Sequence, residues 1–156
     1  MNIRDQLLYE HSNANAMLIV NYIGYDQQKF DTLFSLFIKN EKIVSQRAAQ
    51  SVDHCLRKNM QLIYPHVDQL VNNLSIPHQH DAVIRATLRA METMELPEHL
   101  QGQVFDIAMQ YMMNEKAAIA LRAFSITVAY NIAKPYPELL SELKMVIENF
   151  PNHESG

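Results

Sequence analysis

Apolar residues recur along this sequence mainly with the period of an α-helix. Two adjacent segments show this most clearly. In the first, the apolar residues lie at i, i+3, i+4 and i+7, and in the second they lie at every fourth residue. Each set forms one apolar stripe on a helix. Their stripe positions are Phe30, Leu33, Phe34 and Phe37, and then Val44, Ala48, Val52 and Leu56. Because the alternation typical of a β-strand is nearly absent, the pattern predicts an all-α fold of about nine helices.

Turn-forming residues divide the predicted helices. Gly24 is expected to end the second helix, Pro97 to open another, and Asn114 to cap the next one from Glu115. Pro135 and Pro137 are expected to separate the last two helices. We expect one helix over 60–74, with Pro65 in its first turn. The predicted organisation is a single domain over 1–156. Its parts are an irregular N-terminal pair (1–24), three helical pairs (26–58, 59–95 and 97–134) and a C-terminal capping helix (137–150).

A fixed spacing indicates that these pairs repeat. The dipeptide Arg-Ala begins at Arg47, Arg85 and Arg122, which gives steps of 38 and 37 residues. Small or branched residues lie four positions before and after each alanine, and such a face allows two helices to approach closely. The three sets are Val44/Ala48/Val52, Ala82/Ala86/Ala90 and Ile119/Ala123/Thr127. A repeat at this period favours a helical solenoid over a simple bundle.

These segments resemble the second helices of the HEAT/armadillo class of repeats. The resemblance covers about 26–150 and is carried by 44–49, 84–90 and 120–124, although the Asp and Arg usual at HEAT turns are missing. Shorter motifs at 46–49, 80–83, 100–102 and 130–134 are similar to a family of short bacterial HEAT-like proteins. Some members carry the label adenylosuccinate lyase, but this sequence has no equivalent of that enzyme's signature loop. The resemblance implies a right-handed α-α superhelix whose second helices line a concave side.

Charge is distributed unequally between the two helix layers. The net charge is -4 and the sequence pI is about 5.9, which argues against a dedicated nucleic-acid binder. However, the second helices carry nine basic and five acidic residues, whereas the first helices carry three basic and nine acidic ones. Together with the resemblance, this predicts a mildly basic groove on an acidic body.

The predicted binding surface is a lane of polar residues on two successive second helices. Its six members are Arg47, Ser51, His54, Arg85, Arg89 and Glu92. Arginine suits the recognition of carboxylate or phosphate because its planar donors can bind two oxygens at once. The alternative is that Arg47, Arg85 and Arg122 form a structural ladder with acidic residues of neighbouring helices. For Arg122, which lies among apolar residues, we favour this structural role.

The remaining chemistry-bearing residues predict no catalytic, cofactor or metal site. His78 and His80 share a loop with Asp81, but no second cluster completes a tetrahedral metal site. Cys55 is expected to be a buried structural residue, and the nine methionines to fill the core. We find no phosphate-binding loop and no nucleophile elbow.

The sequence therefore predicts a non-enzymatic scaffold, located in the cytoplasm, that binds an unidentified protein or acidic peptide. A nucleic-acid-binding protein or an enzyme of the DNA-glycosylase type is the alternative, since HEAT-like glycosylases exist, but it would need a strongly basic and aromatic groove. No membrane interaction is expected. A further alternative is a homodimer that forms through the apolar segment 117–133. This segment is a poor membrane span because polar and charged residues interrupt it.

Overall fold

The structure is a computed structural model, and it describes residues 1–149. This part of the chain contains nine α-helices and one 3₁₀ helix, and no β-strand. The helices are α1 (Ile3–Tyr9), α2 (Asn13–Ile23), α3 (Gln27–Ile38), α4 (Lys42–Lys58), the 3₁₀ helix (Met60–His66), α5 (Val67–Asn73), α6 (Asp81–Met91), α7 (Glu98–Met113), α8 (Ile119–Ala133) and α9 (Pro137–Glu148). The predicted fold class is confirmed.

The chain divides into two compact units, Met1–Ala90 and a second one that begins at Met91. In the first unit α4 packs against α1, α2 and α3. The apolar stripe predicted on α3 is the centre of this core, since Phe30, Leu33, Phe34 and Phe37 are at most 1% exposed. The facing stripe of α4 is buried as well, so both sequence patterns mark the packed side of their helix.

Polar side chains tie the first two helices together. The amide of the buried Asn15 donates two hydrogen bonds of 2.8 Å, one to the carbonyl of Gln6 and one to that of Glu10. Ser12 caps α2 by accepting from the backbone N–H of Asn15 at 3.1 Å. Gly24 ends α2 as predicted, with φ of +53°, a backbone angle that favours glycine.

The segment after α4 differs from the prediction of one helix over 60–74. Residues Met60–His66 form a 3₁₀ helix that contains Pro65, and only Val67–Asn73 is α-helical. Proline has no N–H to donate to a carbonyl four residues earlier, so an α-helix cannot continue through it undisturbed. The tighter 3₁₀ winding carries the chain across this position instead.

In the second unit α8 packs against α7, and α9 contacts both of them. Helix α8 starts at Ile119, four residues later than the predicted Glu115, because Asn114 accepts a bond from the backbone N–H of Lys116 within a turn. The predicted end of the capping helix, Phe150, lies outside the described residues. Leu143 is the buried residue of α9, consistent with a terminal helix.

The third small-residue set does not form a close helix contact. Ile119 is 78% exposed, and Ala123 and Thr127 are exposed too. The buried face of α8 carries Leu121, Ser125, Val128, Ala129, Ile132 and Ala133 instead. Since α8 is apolar on every side, its sequence does not distinguish the packed face from the exposed one. A homodimer through α8 stays a prediction.

Candidate functional site

A pocket of about 390 Å³ lies in the first unit, between α4, α6 and the loop that joins α1 to α2. Three alanines contribute small side chains to its lining: Ala49, Ala82 and Ala86. Ala49 and Ala86 are buried, and Ala82 is half-buried. Because these residues carry only a methyl group, they leave space between the longer polar side chains of the two helices.

The polar lining comes mostly from two rows spaced by about one helical turn. Gln46, Gln50 and Asp53 form the row on α4, and Asp81, Arg85 and Arg89 form the row on α6, with His11 and His80 completing the polar lining. Residues four apart share a helix face, so the spacing directs each row into the same pocket. The formal charges of the lining balance, with two arginines and two aspartates. The pocket itself is therefore mixed in charge, whereas the sum over the second helices was basic.

The two arginines of the pocket have different environments. Arg89 Nη1 lies 3.7 Å from Asp53 Oδ2, and that oxygen also lies 2.9 Å from Arg57 Nη2. Arg85 is exposed and has neither a hydrogen bond nor an ion pair with any described residue. Asp81, one turn earlier on α6, is exposed and likewise unpaired within residues 1–149. Arg85 thus lines the pocket with a guanidinium group that has no partner among the described residues.

Arg85 and Arg89 are the two predicted lane residues that line the pocket. Arg47 instead donates from Nη1 to the carbonyls of Leu7, at 2.9 Å, and Leu8, at 3.2 Å, in the last turn of α1. Ser51 is fully buried, His54 is half-buried outside the lining, and Glu92 belongs to the second unit. In the latter unit, the backbone carbonyl of Glu92 accepts a hydrogen bond from Asn131. Partner binding by the six residues stays a prediction.

Comparison with protein families matches a HEAT repeat domain over residues 3–155. The chain belongs to the HEAT repeat domain family. No curated protein and no solved structure matches it. HEAT repeats are helical repeat scaffolds that generally bind other proteins, and the predicted resemblance to this class is confirmed.

The repeated Arg-Ala position of this HEAT domain has a structural role in its first and third copies. Arg122 donates from Nε and Nη2 to the carbonyl of Met112 at 3.3 Å, near the end of α7, just as Arg47 donates to the end of α1. Both guanidinium groups satisfy carbonyls at a helix C-terminus, where positive charge is favourable. At these two positions the arginine therefore bonds to backbone carbonyls at the end of an earlier helix.

Sequence reasoning missed Gln46, Gln50 and Asp53, which line the pocket from α4. On a helical wheel they lie opposite the buried stripe of Val44, Ala48 and Val52, whereas Arg47, Ser51 and His54 lie to one side of it. That geometry was available from the sequence. The predicted lane was built on basic residues, and charge alone does not indicate which residues lie opposite the buried stripe.

Outside the pocket, the HEAT domain contains two further groups of chemical interest. Cys55 is a buried free cysteine, and burial raises the pKa of its thiol to about 12, which favours the protonated form. His66 Nε2 lies 2.5 Å from Asp31 Oδ1, and its ring stacks on Phe34 with centroids 4.4 Å apart. The pKa of Asp31 is lowered, first by a hydrogen bond from Gln27 and further by His66.

The geometry of residues 1–149 bears on two further features, a metal-binding cluster and a membrane-spanning helix. No group of three or more His, Cys, Asp or Glu side chains in this part is arranged to hold a metal ion. In the loop expected to be the best metal candidate, His80 Nδ1 accepts a hydrogen bond from the N–H of Ala82 at 3.0 Å. Within the same range, no helix combines the length and the hydropathy that crossing a bilayer requires.

Proposed function

We propose that this chain is a non-enzymatic scaffold that binds a peptide segment of a partner protein in the pocket between α4 and α6. The observation that carries the proposal is the pocket's construction: two polar rows with small alanines between them. A carboxamide can donate to and accept from a peptide backbone at once, and Gln46 has no hydrogen bond to a described residue. The pocket therefore offers both space and unused polar groups.

The chemistry of the lining supports binding rather than catalysis. The lining contains no serine, threonine, cysteine or lysine, four of the residue types that form covalent intermediates in nucleophilic catalysis. The lone thiol, Cys55, is buried and its pKa is raised to about 12. The two arginines are balanced by Asp53 and Asp81, so a nucleic-acid backbone finds little excess positive charge there. A glycosylase-type function gains no support from this lining, since histidine is its only aromatic residue type.

The proposal is tested by selecting peptides from a random 12-residue phage library on the immobilised full chain. Selected peptides are then synthesised and their Kd is measured by fluorescence anisotropy. Ala82→Trp fills the pocket from its half-buried edge, whereas Ala123→Trp adds the same ring at an exposed site on α8. We expect Ala82→Trp to weaken binding by about ten-fold or more, which corresponds to about 1.4 kcal/mol. The Ala123→Trp variant is expected to bind like the wild type.

Thermal unfolding of both variants checks that the ring does not disrupt the fold. Peptides that bind Ala82→Trp and the wild type with the same Kd would place their site elsewhere and contradict the proposal. A library that yields no binding peptide would contradict it as well.

A further inference from the structure

The repeated Arg-Ala position has one copy that differs from the other two. Arg47 and Arg122 donate to carbonyls at the ends of α1 and α7, and both are half-buried. Arg85, the middle copy, is exposed and has no partner within the described residues. Since a guanidinium that stabilises the fold would contact a carbonyl or carboxylate, the middle arginine is available for an external ligand.

The neighbours of Arg85 limit which ligand suits it. Arg89, one turn further along α6, is already paired with Asp53 at 3.7 Å. The carboxylates of Asp53 and Asp81 both line the same pocket. A ligand with one negative charge matches the single uncommitted guanidinium. A phosphate group carries about -1.5 to -2 at neutral pH and would place its additional charge near two aspartates without a second free cation.

The lining also extends along the helix on both sides of Arg85. Asp81 lies one turn before it and Arg89 one turn after it, and the unused amide of Gln46 is across the pocket on α4. A peptide can therefore continue past Arg85 in both directions. Its backbone groups would then lie near the Gln46 carboxamide, which can both donate and accept hydrogen bonds. This arrangement favours a side-chain carboxylate within a peptide over a carboxylate at its end.

We infer that Arg85 binds the side-chain carboxylate of an aspartate or glutamate in the peptide that occupies the pocket. The inference rests on the proposed function, because it names the residue class that anchors the same peptide. Planar guanidinium and carboxylate groups form two parallel hydrogen bonds, which gives the pair both strength and orientation. Asp81 lies within one turn and competes with the ligand for Arg85.

The experiment uses the peptides selected on the full chain, synthesised with amidated C-termini so that side chains supply every carboxylate. We expect the selected set to be enriched in Asp and Glu. Arg85→Gln should weaken their binding by about ten-fold or more. Replacing the anchoring acid of the peptide by its amide should cause a similar loss, and combining both changes should cost little more than either one alone.

Three matched variants sharpen the test. Asp81→Asn removes the competing carboxylate and is expected to tighten binding of the acidic peptide. Lys42→Glu reverses a charge on an exposed part of α4 outside the pocket and is expected to leave Kd unchanged. Arg85→Glu is expected to regain binding when the peptide's acid is replaced by lysine. Arg85 is exposed and has no partner among residues 1–149, so its replacements should unfold at the wild-type temperature.

The failures of the two proposals are distinguishable. If the peptides lose affinity for Ala82→Trp but bind Arg85→Gln like the wild type, the pocket binds peptides and the carboxylate anchor is wrong. Tighter binding when phosphoserine replaces the acid would also overturn the anchor, since the lining would then accept a dianion. If no peptide binds in the pocket at all, the proposed function fails and the anchor fails with it.

Discussion

Asp53 on α4 and Arg89 on α6 form an ion pair across the pocket, with Oδ2 and Nη1 3.7 Å apart. The same carboxylate oxygen lies 2.9 Å from Arg57, one turn along α4. Both arginine side chains are about half exposed, and ion pairs in such positions contribute little to stability. In the proposed binding pocket, this pair occupies Arg89 and leaves Arg85 as the cation without a partner among residues 1–149.

Asp53→Asn is expected to change the free energy of unfolding by less than about 1 kcal/mol, since the arginine in each pair that it breaks is about half exposed. It should tighten binding of an acidic peptide, because it frees Arg89 and removes a negative charge from the lining. Urea unfolding followed by circular dichroism measures the first effect, and peptide titration the second. Asp106→Asn, an equivalent change on an exposed site of α7, is the control. Weaker peptide binding by Asp53→Asn would contradict this account of the pocket.

Arg47→Met is expected to destabilise the protein by about 1–2 kcal/mol, because it removes two hydrogen bonds from a charged donor to the end of α1. Arg85→Met changes the same residue type at the next repeat, where the arginine makes no such bond to any of residues 1–149. Its free energy of unfolding should stay at the wild-type value. Chemical denaturation of both variants measures the difference. Equal stabilities would show that the contacts of Arg47 carry no net energy.

Asp31 gives the stability an acid dependence of known sign. Its pKa is lowered from 3.8, so the folded state favours the carboxylate. The resulting stabilisation is present above about pH 3.8 and is lost as the pH falls through the lower pKa of the folded state. We expect the difference in urea midpoint between the wild type and Asp31→Asn to shrink below that pH. Since Asp31 is 43% exposed, the effect is small. A difference that grows on acidification would contradict the direction of the pKa shift.

Cys55 should react with a thiol reagent only when the protein opens. Its side chain is 1% exposed and its pKa is raised to about 12 by burial, so both access and thiolate are lacking in the folded state. Modification by Ellman's reagent is expected to be slow in buffer and fast in denaturing urea. The rate should rise with urea in parallel with the unfolded fraction. Rapid reaction in buffer would mean that α4 opens locally around Cys55.

Much of the helical architecture could be predicted from local pattern. The stripe of Phe30, Leu33, Phe34 and Phe37 is buried as its spacing implied, and Gly24 ends α2 with a left-handed backbone. Such features depend on residues within a few positions of each other. The prediction was wrong at 60–66, where Pro65 favours 3₁₀ winding, and at the start of α8, where Asn114 forms a turn.

The candidate site was only partly predictable. Arg85 and Arg89 were identified as polar residues of a second helix, and both line the pocket. Arg47 has the same sequence context as Arg85, yet its guanidinium is used at the end of α1. No local pattern distinguishes these two, because the difference depends on whether another helix ends within reach of the side chain.

The sequence by itself determined the helices, the repeat and the membership of the HEAT class, because helical period and repeat spacing are written in residues close together along the chain. The tertiary structure alone decided which polar side chains are used within the fold and which remain available. It assigned Arg47 and Arg122 to helix ends, paired Arg89 with Asp53 and left Arg85 without a partner in the part of the chain that the structure describes. Hydrogen bonds and ion pairs require atoms within a few ångströms, and only packing brings residues distant in sequence to that separation.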